Sequence, residues 1–267
     1  MTLCPPKSGL LFCNALLLAA VVACAGNQLT AQTVVNLGTA DSFVVLAGTT
    51  VVNSGATILS GDLGVSPGGS ITGFPPGVVM NGAIYESDVV ADQAQIDAFA
   101  AYTQLAGLTP TDGRDMTAYN LGGLTLTPGV YNFSSTALFT SGVLTLDGLN
   151  QTDTLFVFQV GSTLTTNGVT SFDFINGATA SNVWFQVGSS ATLNIGTAFE
   201  GTIIAYASDT LVTGVSVEGR VIALTGSVTL DTNTITASIP EPASTALLVS
   251  GLVSFAVVGV LWKRSAA

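Results

Sequence analysis

A short motif returns through the second half of the chain at a near-fixed interval, and that interval restricts the fold more than any other feature. "GSTLTTNG", "SSATLNIG", "SDTLVTG" and "GSVTLDT" share a Thr-Leu core at Thr163, Thr192, Thr210 and Thr229. The same core occurs upstream at Thr145-Leu146 and Thr125-Leu126, and successive threonines lie 20, 18, 29, 18 and 19 residues apart. Self-similarity at such a period marks a stack of like units. Consecutive strand residues point to opposite faces, so each Leu points inward where its Thr points outward. A period of 18–19 residues suits a coil of three short strands and three corners. Seven residues before five of the threonines stand Leu138, Phe156, Phe185, Ile203 and Ile222; five before the last four stand Phe158, Val187, Ala205 and Leu224. Of these, Phe185, Ile203 and Ile222, with the leucines that follow the threonines, are expected to make the core. The 29-residue step implies an insertion of about ten residues around Ser171–Ser181.

Composition agrees with a β stack. The chain has 30 Gly among 267 residues and only 8% charged residues, too apolar for disorder and suited to strands with tight corners. There are 16 acidic residues, 5 basic residues and no His. Arg114 and Arg220 are the only basic residues away from the termini, so no basic face exists to hold nucleic acid or anionic lipid head groups.

Both ends read as targeting segments. Lys7, the apolar run Leu10 to Val22 and Ala23-Cys24-Ala25 describe a secretory signal peptide over residues 1–25, to be removed by a signal peptidase. A transmembrane anchor and lipoprotein processing at Cys24 are the alternatives. All three cysteines lie in this segment, so a cut after Ala25 leaves a thiol-free chain without disulfides. At the other end, Pro240-Glu241-Pro242 precedes an apolar run at 243–262 and then Lys263-Arg264. The run is long enough to cross a bilayer with its basic end in the cytoplasm. Residues 240–267 resemble the PEP-CTERM sorting signal of Gram-negative bacteria, which implies handling by an exosortase-type enzyme; a plain single-pass anchor has the same hydropathy. Either way the globular part, 32–239, is expected outside the cytoplasm, secreted or attached to the cell surface, with the membrane touched only by the terminal segments.

Residues 32–82 alternate apolar and small polar residues between glycines and read as further short strands. Residues 88–108, "DVVADQAQIDAFAAYTQLAGL", read as the one long helix. Ser87 or Asp88 caps it, Gly107 and Pro110 end it, and Val89, Gln93, Ile96, Ala100 and Thr103 with Phe99 adjoining form its expected packing face. It is expected to lie along the stack and cover an apolar strip.

The inventory for catalysis is poor. Without His, and without Cys in the processed chain, there is no Ser-His-Asp or Cys-His system and no His- or Cys-ligated metal site. No phosphate loop is present, and no cofactor or metal is expected. Asp62, Asp147, Asp153, Asp173, Asp209 and Asp231 sit at expected corners and read as turn caps. Arg220 is expected to pair with Glu218 or Glu200.

What remains is a surface. Outward threonines at Thr125, Thr145, Thr163, Thr192, Thr210 and Thr229 form one column. The strings Ser54–Thr57, Asn167–Thr170 and Thr213–Ser216 place a hydroxyl or amide at each end. Thr is stiff at χ1, so a Thr array on a sheet is ordered before it binds anything. Rungs about 4.8 Å apart, with same-face residues about 6.7 Å apart, form a grid that can order water into an ice-like layer.

From Asn36 to about Thr236 the chain resembles the microbial ice-binding (antifreeze) proteins. The segments that carry the resemblance are "LGTADSFVVLAG", "SGATILSGDLGVSPGGSITGFPPG", "ADQAQIDAFAAYTQL", "LTLTPGVYNFSS", "FVFQVGSTLTT", "FEGTIIAYASDTL" and "VEGRVIALTGSVTLDTNTI". The resemblance implies a mainly β, right-handed three-faced β-solenoid (β-helix) with one long α-helix packed alongside, coils stacked out of chain order, and one flat face that adsorbs to ice. It points to Ser54, Thr57, Asn167, Thr170, Thr213 and Ser216 as ice-binding residues; the Thr192, Thr210 and Thr229 column is the second candidate. Residues 195–198 and 232–235 depart from the Thr-Gly-x-Thr pattern. The expected function is non-enzymatic inhibition of ice growth and recrystallisation, the alternative being a surface adhesin or biofilm-matrix protein that binds polysaccharide.

Overall fold

The computed structural model describes residues 35–111, 113–151 and 154–238. The expected leader, the expected sorting segment with its apolar run, and Asp153 lie outside them. No helix among the described residues is long and apolar enough to cross a membrane.

The strands pair only in parallel, in three ladders. The first runs through Ile84–Glu86, Asp62–Val65, Phe43–Ala47, 220–223, 202–205, Val183–Val187, Phe156–Val160 and Gly129–Phe133. The second runs through Ser70–Thr72, Thr50–Ser54, Val228–Asp231, Asp209–Leu211, Ala191–Leu193, 164–167 and 137–140. The third runs through Val78–Met80, Ile58–Ser60, Thr234–Thr236, 216–218 and 198–200; beyond the single bridge Thr170↔Thr197 it continues through 170–175, 142–147 and Thr125–Leu126. Ala198–Ala205 and Ser216–Ala223 each serve the first and third ladders and turn between them at Gly201 and Gly219, both at positive φ. A Cβ on Gly219 would collide with the Gly201 carbonyl oxygen, so glycine is required there for two turns to stack.

Inward residues of the three ladders meet in one core. In register on the first ladder stand Tyr131, Phe158, Phe185, Ile203, Val221 and Val45. The Phe158 and Phe185 rings stack at 4.4 Å, Phe158 and Tyr131 at 5.3 Å, and Phe199 lies 5.0 Å from Phe185. Such pairs contribute about 0.5–1.5 kcal/mol each beyond their buried area. The observed columns correct the spacing count from the threonines. Phe156 stands two residues before the Phe185 equivalent, and Ile222 one residue after it, on the outer side. The corner between Ala223 and Thr229 holds one residue more than those before Thr192 and Thr210, so counting back seven stops one residue short there.

The helix Val89–Ala106 is capped by Asp88, whose carboxylate accepts the Val90 and Ala91 N–H groups. Its buried face is Ala91, Ala94, Ala98, Ala101 and Leu105, not the expected stripe: Val89 is 81% exposed, Ile96 62% and Phe99 52%. The sheet beneath already presents Phe43, Leu46, Val157, Trp184, Ile204 and Ile222 outward, and alanines let the helix axis approach that bulky layer. The Gln159 amide donates to the Leu105 and Leu108 carbonyls (2.8 Å each), tying the helix end to the sheet, and the Gln95 amide donates to the Ala223 carbonyl (3.2 Å). Eighteen residues rise about 27 Å, between five and six strand spacings. The helix therefore carries the chain from one end of the ladder, after Ile84–Glu86, towards the other, before Gly129–Phe133. That is why rung order departs from chain order: the first strand, Phe43–Ala47, lies between Asp62–Val65 and Ser216–Ala223.

Arg220 also departs from expectation. Its guanidinium donates to the Asp41 carbonyl (2.9 and 2.7 Å) and carboxylate (2.7 Å), so it fixes the start of that first strand rather than pairing with Glu218 or Glu200. Glu218 lies beyond the Gly219 turn, on the outward side of the third ladder.

Candidate functional site

The helix covers the first ladder, which leaves two open ladders. The second carries the repeated threonines. Leu138, Thr165, Thr192, Thr210, Thr229, Val52 and Thr72 are in register across it and point outward. All but Thr72 are flanked by buried neighbours such as Leu193, Leu211 and Leu230, the alternation read from the sequence. A hydroxyl column runs beside it through Thr136, Thr163, Ser190, Ser208 and Ser227. The Thr136 and Thr163 hydroxyls lie 3.0 Å apart; Ser190 Oγ accepts the Ser208 N–H (3.3 Å), and Ser208 Oγ accepts the Ser227 N–H (3.1 Å). Neither column contains a charged residue.

Three members of the sequence-derived threonine column move. Thr163 belongs to the hydroxyl column, and Thr165 takes its place beside Thr192, because Leu164 pairs with Ala191. Thr125 and Thr145 lie on the third ladder, in register with each other and with Asp173. The Thr-Leu pair alone does not distinguish the two open ladders, since both alternate in the same way.

The hydroxyl strings straddle the corner between the second and third ladders. Ser54, Asn167 and Thr213 are exposed on its rim. Thr57 and Thr170 lie inside, 0% and 1% exposed, so their hydroxyls cannot reach a crystal. Thr57 Oγ1 donates to Asn53 Oδ1 and accepts the Asn233 N–H (3.1 Å), serving the interior of the turn. Ser216 is exposed but belongs to the third ladder, where it pairs with Ala198 and Thr234. The Thr213 hydroxyl is committed to the Asp231 carboxylate. The strings do not superpose: Thr170 pairs with Thr197, which aligns with inward Val215, whereas Ser216 faces out.

The third ladder differs in chemistry. Its outward residues include Glu200 and Glu218, directly paired, and the apolar Ile58, Val78 and Met80. Burial, and then the neighbouring charge of Glu218, push the Glu200 carboxyl up to about 7. Asp62, Asp147 and Asp231 take part in turns. Asp62 accepts the Ala83 N–H (2.8 Å), Asp147 accepts from Leu149 N–H (2.9 Å) and the Asn176 amide (2.8 Å), and Asp231 accepts from Thr232 (3.0 Å). Asp209 is not at a corner. It points into the core between Ala191 and Val228, fully buried, and neither carboxylate oxygen has a hydrogen-bond partner. Burial raises its pKa well above the carboxylate range.

The ice-binding-like family model matches residues 45–236. The chain belongs to the ice-binding-like family. An ice-binding protein of Nostoc sp. (strain HG1) is 54% identical over 230 residues, 82% of this chain and 84% of the relative. The crystal structure of an ice binding protein from an Antarctic biological consortium superposes with a TM-score of 0.74 at 45% identity, covering 79% of this chain and 94% of that one. An ice-binding protein from the Antarctic ascomycete Antarctomyces psychrotrophicus gives a TM-score of 0.71 at 41% identity, covering 75% and 97%. These relatives confirm the mainly β fold with parallel sheets and one helix. Ice-binding-like proteins are not enzymes, in agreement with the missing catalytic inventory.

Proposed function

We propose that this member of the ice-binding-like family adsorbs to ice through the outer face of the second ladder, with Thr165, Thr192, Thr210 and Thr229 at its centre. The observation that carries the reading is the pair of in-register, uncharged columns. Methyls and hydroxyls repeat about every 4.8 Å along the stack, and the adjoining hydroxyls are held by one another or by the next rung's N–H. Charged groups order water around themselves in a pattern foreign to ice; the third ladder carries the paired Glu200 and Glu218, whereas neither column holds one, and the acid on this ladder's outer side, Asp231, stands at its edge against Thr213. The three ladders and glycine corners support a right-handed three-faced solenoid, with one wall given to the helix. Adsorbed protein would curve the advancing ice front between anchored molecules, lowering its freezing point and slowing recrystallisation.

In the same reading the leader and the PEP-CTERM-type tail deliver the domain to the cell surface or medium, through signal peptidase and an exosortase-type enzyme. Fractionating the producing cells tests this part; a chain retained in the cytoplasm would overturn it. For the ice reading, purified protein at micromolar concentration should give thermal hysteresis, shaped crystals or inhibited recrystallisation. Ice that grows with unchanged rate and habit would refute it.

A further inference from the structure

The insertion that lengthens one repeat also splits the third ladder. After Thr170 bridges Thr197, the strand Leu164–Ile175 parts from Ala198–Ala205, and residues 176–182 return through the gap with a short 3-10 turn at Ala180–Asn182. The split leaves a hollow of about 200 Å³ bordered by Phe174, 178–181, Glu200, Glu218 and Ser238. It adjoins an open groove of about 530 Å³ that shares Glu200 and Glu218 and extends over Thr234 and Thr236.

Two observations in this hollow go unexplained by the fold. Glu200 and Glu218 are in register on neighbouring strands, and among the described residues neither carboxylate forms a hydrogen bond or ion pair. Like charges placed opposite each other on a sheet are destabilising. Ser238, 3% exposed, borders the same hollow, and its buried hydroxyl has no hydrogen-bond partner. A buried hydroxyl without a partner is destabilising. Two carboxylates and an unsatisfied hydroxyl around one space can be satisfied together by one ligand: a cation with hard-oxygen preference.

We propose that Glu200, Glu218 and Ser238 Oγ hold one divalent cation of the calcium class. Two carboxylates balance its charge. The donors are all oxygen, which disfavours zinc and other soft-ligand metals. Calcium accepts six to eight oxygens in irregular geometry and completes its shell with water, for which the adjoining groove has room; magnesium demands a regular octahedron that two strand-borne carboxylates do not preset. The bound ion joins the paired strands to Ser238, the last described residue, and so clamps the point where the domain meets its C-terminal segment. The site lies on the third ladder, apart from the proposed ice face.

The test is calorimetric titration of the chelator-treated full chain with calcium chloride, alongside thermal melts in calcium, magnesium and potassium chlorides at matched ionic strength. One calcium per chain is expected, with a Tm rise of about 5–10 °C at a concentration about 100-fold above Kd. Magnesium should act more weakly and potassium not at all. The double variant Glu200→Gln, Glu218→Gln should melt no lower than the parent in chelator and lose the calcium response; Ser238→Ala should keep the stoichiometry and bind more weakly. Absent binding heat, an equal rise in potassium chloride, or a double variant that still responds would each overturn the assignment. So would unchanged affinity in Ser238→Ala.

Discussion

The two open ladders are made from the same strands' neighbours, at the same rung spacing, yet present opposite surfaces. On the second, the outward residues at successive rungs are Thr165, Thr192, Thr210 and Thr229, uncharged and in register. On the third, the corresponding rungs carry Glu200, Glu218 and Thr236, then Ser60 and Met80. Repetition of backbone therefore does not by itself make a recognition surface. What differs is which side chains the periodicity is allowed to repeat. The second ladder repeats one stiff, half-apolar residue. The third breaks its pattern with an insertion, paired acids and exposed aliphatics.

The sharpest way to break this contrast is a bulky substitution at the centre of each ladder. Thr210→Tyr should reduce thermal hysteresis roughly tenfold or more, the scale expected for disturbing the centre of a preorganised interface. Ser216→Tyr should leave it within about twofold, a rim-scale effect. Equal losses, or a larger loss from Ser216→Tyr, would transfer the ice face to the third ladder. Thr213→Tyr, on the rim, should fall between them.

Smaller effects separate the ladders by pH. Beneath the second ladder, Asp209 is buried without partners, so its folded pKa lies above its unfolded value of 3.8. The folded state then holds a proton that the unfolded state has lost. Stability is fully present below about pH 3.8 and declines as pH rises through the folded pKa. In chelator, Glu200 behaves likewise, with stability declining from its ordinary 4.5 upward through about 7. Melting temperature in chelator should accordingly rise as pH is lowered from 7.5 to 5. Asp209→Val, matching Val228 and Val51 beside it in the stack, should stabilise the protein at pH 7.5 by about 2 kcal/mol and flatten the slope, as measured by denaturant unfolding. Glu200→Gln should flatten only the part between about pH 4.5 and 7. Melts that fall on acidification through this range would contradict both assignments. The smallest expected effect is on ice activity itself, which should change little across the same pH range because the threonine columns do not titrate.

Much of this was legible in the sequence, and the failures have physical causes. The period and the Thr-Leu alternation identify the strands and their inward leucines, because burial enforces a period of two. They do not count corners. One extra residue between Ala223 and Thr229, and an adjacent threonine pair at Thr165-Thr166, shift the alignment by one or two places. Thr57 and Thr170 look like their exposed neighbours in the strings because nothing in a four-residue string says which side of a corner it turns to. The helix face departs from the expected one for a related reason. Helical spacing brings Ile96 and Phe99 to the expected face, but the receiving sheet is already bulky and selects the alanine stripe instead. Asp209, written like a turn residue in "SDTL", is inward because its rung fixes its parity.

The place of Phe43–Ala47 has a consequence for how the molecule comes into being. This strand is made among the first, yet one of its two neighbours, Ser216–Ala223, is synthesised more than 160 residues later. Until that partner arrives the strand has one open edge, and the Arg220 contact that secures Asp41 is missing. The structure therefore resembles a belt whose buckle is at its first hole. It fastens only when the end of the domain comes round, and an emerging chain has every reason to stay unfastened, and slow to close, until synthesis has passed Arg220.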